Sequence, residues 1–201
     1  MKVDDANIVI YDHIAREFAE RWDSTMTVRP FIDDFIELLP TRGGVVLDAG
    51  SGTGRDVAYM LDCGLFALGV DASSEMVNVA NELHPGGNFL HMDLRKMDLW
   101  PDAMFSGVWC CGVLHHLHPR GAIQVLKTLA RLLTTGGVIA VAVREEDCDR
   151  FAADRRFFYQ QDENSLIVSL DMAGFSPHKR PTRSEAPGGA RWLHVTAQKR
   201  K

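Results

Sequence analysis

The 201-residue chain is poor in the features that mark the simpler special classes. It has four cysteines, Cys63, Cys110, Cys111 and Cys148, and no pair is spaced C-x-x-C. So sparse a set excludes a disulfide scaffold and reads as reduced thiols in a core. No apolar run exceeds Val138–Val143, far below the roughly 20 residues of a membrane-spanning helix. The opening Met1-Lys2-Val3-Asp4-Asp5 shows no apolar segment of a secretory leader, so a cytoplasmic location is expected. There is no internal repeat and no low-complexity tract, which sets collagenous, solenoid and disordered classes aside. What remains is an ordinary soluble composition, 46% hydrophobic and 24% charged, with length for one well-filled domain.

A net charge of −5 conceals an asymmetry. Residues 177–201 hold seven basic side chains, Lys179, Arg180, Arg183, Arg191, Lys199, Arg200 and Lys201, against Glu185 alone. That stretch carries +6 and the first 176 residues carry −11. An acidic body is a poor platform for nucleic acid. The basic end is read as edge-strand lysines and arginines that discourage edge-to-edge pairing.

Short apolar runs alternate with helical patterns, as in a βαβ sheet. Residues 6–39 read as two helices broken near Thr25–Pro30, with Phe31, Phe35, Leu38 and Leu39 on one face. Strands are expected at Val45–Leu47, Phe66–Val70, Asn88–His91, Phe105–Cys111 and Val138–Val143. Ser73 is expected to cap a helix running to about Leu83. Pro119 starts another whose buried face is Ile123, Leu126, Ala130 and Leu133, and Gly136-Gly137 is expected to end it. Residues 144–161 read as a loop. Asp162 caps a helix through Ala173, and edge strands follow near 175–182 and 190–198.

Chemistry concentrates at Asp48-Ala49-Gly50-Ser51-Gly52-Thr53-Gly54. A strand enters three closely spaced glycines and a helix leaves them. Asp71 stands 21 residues beyond Gly50 at the end of the second strand, where an acid can take both ribose hydroxyls of an adenosine ligand. A dinucleotide loop would want its third glycine where Arg55 stands. The carboxylate of Asp48 would repel a pyrophosphate but suit a ligand bearing a sulfonium and an ammonium. The residues therefore favour S-adenosylmethionine over NAD. No phosphate-binding G-x-x-x-x-G-K-[ST] loop is present.

Leu47-Asp48-Ala49-Gly50-Ser51-Gly52-Thr53-Gly54 resembles motif I of class I S-adenosylmethionine-dependent methyltransferases. Gly69-Val70-Asp71-Ala72-Ser73 resembles their ribose loop and His91-Met92-Asp93-Leu94 their adenine-binding stretch. Tyr11–Trp22 resembles the helix that folds over the cofactor in small members. The resemblance covers nearly the whole chain. It implies a Rossmann-like α/β fold, seven strands in order 3-2-1-4-5-7-6 with strand 7 antiparallel and helices on both faces. It divides one methyltransferase domain into a helical lid (1–40), a cofactor core (41–143) and a substrate loop with the last helix and edge strands (144–201). It implies cofactor contacts from Asp48, Gly50, Ser51, Gly52, Thr53, Gly54, Asp71, Ala72, Met92, Asp93, Leu94, Cys110 and Tyr11. Asp93 would take the exocyclic amine, with Met92 and Leu94 flanking the ring. Met76 reads as core.

The acceptor side stays open. His115 or His116, after the fourth strand, either acts as a general base or only shapes the pocket. His115, His116 and His118 have poor metal spacing, and no metal is expected. Arg155, Arg156 and Tyr159 are substrate candidates. The arginines either grip an acceptor carboxylate or pair with Glu145, Glu146, Asp147 and Asp149 in a solvated loop. No [DNS]-P-P-[YFW] or Pro-Cys follows the fourth strand, which disfavours methylation of DNA bases. The expectation is methyl transfer to O, N or S of a small molecule by a monomer or homodimer with no membrane partner. A tRNA or rRNA methyltransferase using the basic end, and a cofactor-binding subunit without activity, are the alternatives.

Overall fold

Val45–Ala49 (β1) is a run of small and β-branched residues that loses all but its first side chain to the interior. Runs of this kind belong to parallel strands covered on both faces. In a computed structural model describing residues 3–22, 28–41, 43–186 and 189–200, β1 pairs in parallel with Phe66–Asp71 (β2) and with Phe105–Cys111 (β4). Asn88–His91 (β3) extends the sheet beyond β2, and Leu133–Arg144 (β5) lies beside β4. Arg150–Phe151 (β6) and Phe157–Phe158 (β7) form a separate hairpin. Phe175–Pro177 (β8), Thr182–Ala186 (β9) and Ala190–Lys199 (β10) complete the set. The main sheet runs β3-β2-β1-β4-β5-β10-β8, with β10 antiparallel to β5. This is the expected 3-2-1-4-5-7-6 order, with β10 as the seventh strand in chain position and β8 as the sixth. An eighth strand, β9, joins the free side of β10 at residues 190–194, while β8 uses residues 197–199.

Among the described residues six α-helices serve this sheet: Val3–Trp22 (α1), Arg29–Glu37 (α2), Arg55–Asp62 (α3), Ser74–Leu83 (α4), Pro119–Leu132 (α5) and Glu163–Met172 (α6). One face is covered through Leu126, Leu129, Leu166, Leu170 and the 3-10 segment Leu94–Leu99. The other is covered through Ile32, Phe35, Val57, Met60, Val77 and Ala80, around Trp109. Ser73 caps α4 by accepting the Met76 N–H at 3.1 Å, as expected of a serine before an apolar helical run. Asp162 and Ser165 close a reciprocal capping box on α6. Pro30 and Pro119 occupy first turns, where a missing N–H removes no helical bond. Of the break expected near Thr25–Pro30, residues 25–27 lie outside the described residues, Val28 precedes α2, and Arg29 and Pro30 already belong to its first turn.

Three local expectations are corrected. Gly136-Gly137 does not end α5. The helix stops at Leu132, and Leu133-Thr134-Thr135 is already extended, as suits β-branched threonines. Gly136, at φ +75°, instead sits where the β4–β5 register shifts, the work of a bulge glycine. The buried face of α5 is centred on Ala122, Val125, Leu126 and Leu129, and Ile123 is only half-buried. Residues 144–161 are not all loop: β6 and β7 pair there, and Glu146 bridges Gln161.

Candidate active site

At the carboxyl ends of β1, β2 and β4 lies a cavity of about 270 Å³, roofed by α1 and closed at one end by β7, β9 and β10. Its floor is the turn after β1. Gly50, at φ +84°, lies so close to the loop after β4 that a Cβ would meet Val113 at 2.2 Å. Gly52, at φ +53°, has open space where its side chain would be, so a ligand can lie against bare backbone. The amides of Gly50 and Ser51 both donate to Val70 O, at 2.8 and 2.9 Å. This fixes the turn to the end of β2.

Asp71 locks the same turn from the side. Its Oδ2 accepts the Gly52 N–H at 2.9 Å and its Oδ1 accepts the Ser73 N–H at 2.8 Å. Burial raises its pKa against the opposing pull of those two amides. Asp48 stands beneath the turn, 2% exposed, and its Oδ2 is buried without a hydrogen-bond partner among the described residues. Burial, then the nearby carboxylate of Asp56, pushes Asp48 well above the usual carboxylate range. Asp56 itself accepts the Trp109 indole N–H at 2.9 Å and the Arg55 Nε–H at 2.7 Å. This end of the cavity therefore holds closely placed, costly carboxylates, an arrangement that a cation would relieve.

The other end is different in sign. His115 and His116 are both buried, yet they hold opposite tautomers. The Arg144 amide donates to His115 Nδ1 at 3.0 Å. A backbone N–H can only donate, so the neutral ring carries its proton on Nε2. In His116 it is Nδ1 that faces a carbonyl, Phe157 O at 2.9 Å. The Asn7 amide nitrogen also lies 3.3 Å from Nδ1, but it donates to the Phe157 carbonyl as well. The shorter carbonyl contact assigns the proton to Nδ1, leaving Nε2 to accept from the Tyr11 hydroxyl at 2.8 Å. Tyr11 oxygen in turn accepts from Arg156 at 2.9 Å. Burial keeps both rings neutral, lowering His116 to about 4 and His115 well below its ordinary range. The ring of Phe158 stacks on His115 at 5.1 Å, and Trp192 meets it edge-on at 5.7 Å. Arg144 and Arg156 both lie over Phe158, at 5.1 and 5.6 Å.

Helix α1 is strapped over this cavity by specific bonds. Asn7 pairs with the Phe157 backbone like a neighbouring strand, donating to its carbonyl at 3.0 Å and accepting its N–H at 2.8 Å. Asp12 accepts the Ser73 hydroxyl at 2.6 Å. Tyr159 donates to Asp4 at 3.0 Å.

Residues 46–137 match the family model described as a methyltransferase domain. A putative methyltransferase of Bacillus subtilis, YqeM, is 25% identical over 167 residues, 80% of this chain and 68% of that one. A malonyl-[acyl-carrier protein] O-methyltransferase of Pectobacterium atrosepticum is 33% identical over 114 residues. The match takes in 53% of this chain and spans only 42% of that relative's length. The solved structure of Burkholderia thailandensis 1,6-didemethyltoxoflavin-N1-methyltransferase, with bound 1,6-didemethyltoxoflavin and S-adenosylhomocysteine, superposes with a TM-score of 0.79 at 28% identity. It covers 98% of this chain and 89% of that chain. The matched domain, these relatives and the shared fold support a class I S-adenosylmethionine-dependent methyltransferase.

In this methyltransferase the cavity wall includes Tyr11, Gly50, Ser51, Gly52, Thr53, Asp71, Ala72, Asp93, Leu94, His115, His116 and Arg156 among the residues singled out from sequence. Others stand back from it. Gly54 is the residue before α3, with a Cβ position 2.6 Å from Phe89. Cys110 is fully buried and Cys111, the next residue, reaches the wall. Met92 packs against the core beneath. Asp93 is gripped by Arg95 through both carboxylate oxygens, at 2.9 and 2.7 Å. Burial raises its pKa, but those contacts win and lower it overall. Arg155 is exposed, at φ +68°, off the wall, and Tyr159 is turned to Asp4. Arg156 pairs with Asp154, and with none of the four acids named in the solvated-loop alternative.

Reading the sequence missed Arg144, Phe158, Trp192 and His194, all on the wall, while Met76 is core as expected and also borders the cavity. A signal existed for two of them. Trp192, His194 and Thr196 alternate with the core residues Leu193, Val195 and Ala197, so aromatic and polar groups mark a second covered face.

Proposed function

We propose that this enzyme transfers a methyl group from S-adenosylmethionine to a small-molecule acceptor held beneath α1. The supporting observation is the division of one cavity into a carboxylate-lined end and a donor-rich aromatic end. The residues fit the cofactor. Asp71 is fixed by two amides and keeps free lone pairs for ribose hydroxyls. The bare turn at Gly52 admits close approach. Asp48, under the turn, has an unpartnered oxygen and a raised pKa, so a positive ligand nearby would favour its ionised form. S-adenosylmethionine supplies an activated methyl on a positive sulfur, which keeps the C–S electron pair as the acceptor's lone pair bonds to carbon. The protein's share is position and exclusion of water: Phe18, Trp22 and Val28 line the cavity, and α1 is held shut by Asn7 and Asp12.

Neither histidine is placed to be a simple base. The one lone-pair nitrogen of each neutral ring is occupied, in His115 by the Arg144 amide and in His116 by Tyr11. We read both as fixing the pocket. A nucleic acid acceptor is not favoured. Lys179 pairs with Asp34, Arg183 with Glu145 and Glu163, Arg191 with Asp147 and Arg200 with Asp171. Much of the basic end is thus matched against the acidic body, while Lys201 lies outside the described residues. Among the described residues no helix is long and apolar enough to cross a membrane.

The test is release of S-adenosylhomocysteine across acceptor classes, beside calorimetric binding of S-adenosylmethionine and S-adenosylhomocysteine. Binding of both, with turnover confined to small molecules, is expected. Failure to bind either, or turnover of tRNA alone, overturns the reading.

A further inference from the structure

The acceptor end of the cavity holds more hydrogen-bond donors than its own acceptors can use. Arg144 donates through Nε to Glu146 at 2.6 Å. Glu146 is also gripped by Arg150, at 2.5 and 2.8 Å. Arg156 spends Nε and one terminal nitrogen on Asp154 and another on Tyr11. Three guanidiniums are therefore directly paired with two carboxylates, Glu146 and Asp154. A guanidinium has five N–H groups, so both wall arginines keep unspent donors. His115 adds an Nε2–H with no protein partner among the described residues, its tautomer dictated by the Arg144 amide. Asp4 also lines the cavity, but its oxygens accept from Tyr159 and from the His118 amide.

Partly buried guanidiniums are held rigidly here. The Arg156 side chain is 16% exposed and that of Arg144 is 28% exposed. Both are oriented by a carboxylate on one side and by the Phe158 ring on the other. Such a pair, with an imidazole N–H between flat aromatic walls, matches a flat group bearing an oxyanion. An ammonium would meet like charge and no free carboxylate at this end.

We infer that Arg144, Arg156 and His115 Nε2–H form a seat for an oxyanion on a flat acceptor, so that the enzyme selects anionic over neutral or cationic acceptors. This rests on the methyltransferase reading above and narrows its acceptor class. The carboxylate end then draws a cationic cofactor and the guanidinium end an anionic acceptor, and the two charges attract across the same cavity.

The experiment titrates the full chain with benzoate, 4-nitrophenolate, benzamide and benzylammonium, by calorimetry, with and without saturating S-adenosylhomocysteine. Binding of S-adenosylhomocysteine alone reports on the cofactor reading, and its loss would overturn that reading without bearing on the seat. Benzoate or 4-nitrophenolate binding about tenfold or more tighter than benzamide supports the seat, since a charge-assisted pair is worth at least that. Preference for benzoate places the seat's match with a carboxylate, and preference for 4-nitrophenolate places it with an ionised hydroxyl. Benzamide or benzylammonium binding as well as both anions refutes it. Arg144→Gln and Arg156→Gln are each expected to lower anion affinity about fivefold or more while S-adenosylhomocysteine affinity holds. Should Arg156→Gln unfold through loss of its Tyr11 and Asp154 contacts, Arg144→Gln decides alone. Unchanged anion affinity in a folded Arg144→Gln overturns the assignment.

Discussion

Asp71→Asn is the most informative single change, because it preserves shape and reverses one hydrogen bond. Each carboxylate oxygen of Asp71 accepts one loop amide, Gly52 N at 2.9 Å and Ser73 N at 2.8 Å. An asparagine has one acceptor oxygen, so one of those amides must face an NH₂ group. An unsatisfied buried donor costs about 1–3 kcal/mol. Against this, burial raises the pKa of Asp71, so removing its charge relieves some desolvation and the net loss of stability falls toward the lower end. Cofactor affinity loses more. The two charge-assisted bonds proposed from Asp71 to the ribose hydroxyls, weakened together with the turn that frames them, would be worth about 2–4 kcal/mol. That is roughly 30- to 1,000-fold in Kd at about 1.4 kcal/mol per tenfold. S-adenosylmethionine and S-adenosylhomocysteine share the ribose, so both should weaken by the same factor in calorimetry. Urea unfolding, run in parallel, separates lost affinity from lost fold. A folded Asp71→Asn protein that binds both ligands as tightly as the parent would refute the reasoning, as would loss of one ligand alone.

Three further outcomes follow from the same contacts. Ser73→Ala removes both the α4 cap and the hydroxyl donated to Asp12, and should cost about 1–2 kcal/mol in urea unfolding; a loss below about 0.3 kcal/mol would deny the cap its role. His116 and His194 are held neutral near 4 against an ordinary 6.5. The unfolded chain therefore takes up protons first as pH falls below 6.5, and stability drops between there and about 4, by roughly 1–2 kcal/mol per ring at about pH 5. Asp48 and Asp71 are raised by burial and act with the opposite sign. The clean measurement is thus the difference between parent and His194→Phe, which should show a shallower acid slope; equal slopes would mean that the ring does not titrate as described. Poly(U) and tRNA should not be retained at about 150 mM salt, where exposed unpaired charges are already screened beyond about 8 Å; a salt-dependent shift would show that the edge pairs open to admit phosphate.

The parts of this enzyme that were legible in its sequence are those whose chemistry is local. A strand that must turn sharply, bare its backbone and start a helix needs glycines at 50 and 52 and an acid across the turn, all within 25 residues. The β9 strand had no such signature. Thr182–Ala186 shows charged Arg183 and Glu185 among small residues and exists because β10 offers it an edge. The β6–β7 hairpin has two-residue strands, too short for any period, and Phe158 is buried only because the histidines and arginines of other elements gather round it. Glycine at 136 was misread for the opposite reason: a glycine pair serves a helix end and a strand bulge equally well, and only the partner strand decides.

The two histidines carry this furthest. As neighbours of one residue type they are interchangeable in a sequence, and each was an equal candidate for base. Their roles are set by atoms 29 and 41 positions away, the Arg144 amide and the Phe157 carbonyl. One partner can only donate and the other can only accept, so the adjacent rings are fixed in opposite tautomers. His115 is thereby turned into a donor toward the acceptor and His116 into a receiver of the Tyr11 proton. If that is so, His115→Asn, whose amide can donate but is shorter, should weaken anion binding while sparing S-adenosylhomocysteine. His116→Asn should instead loosen α1, because Tyr11 and with it Arg156 lose their anchor. Proteolysis within α1, slow in the parent and in His115→Asn but fast in His116→Asn, is the pattern that the opposed tautomers require; equal rates in the two variants would return the pair to the equivalence their sequence suggests.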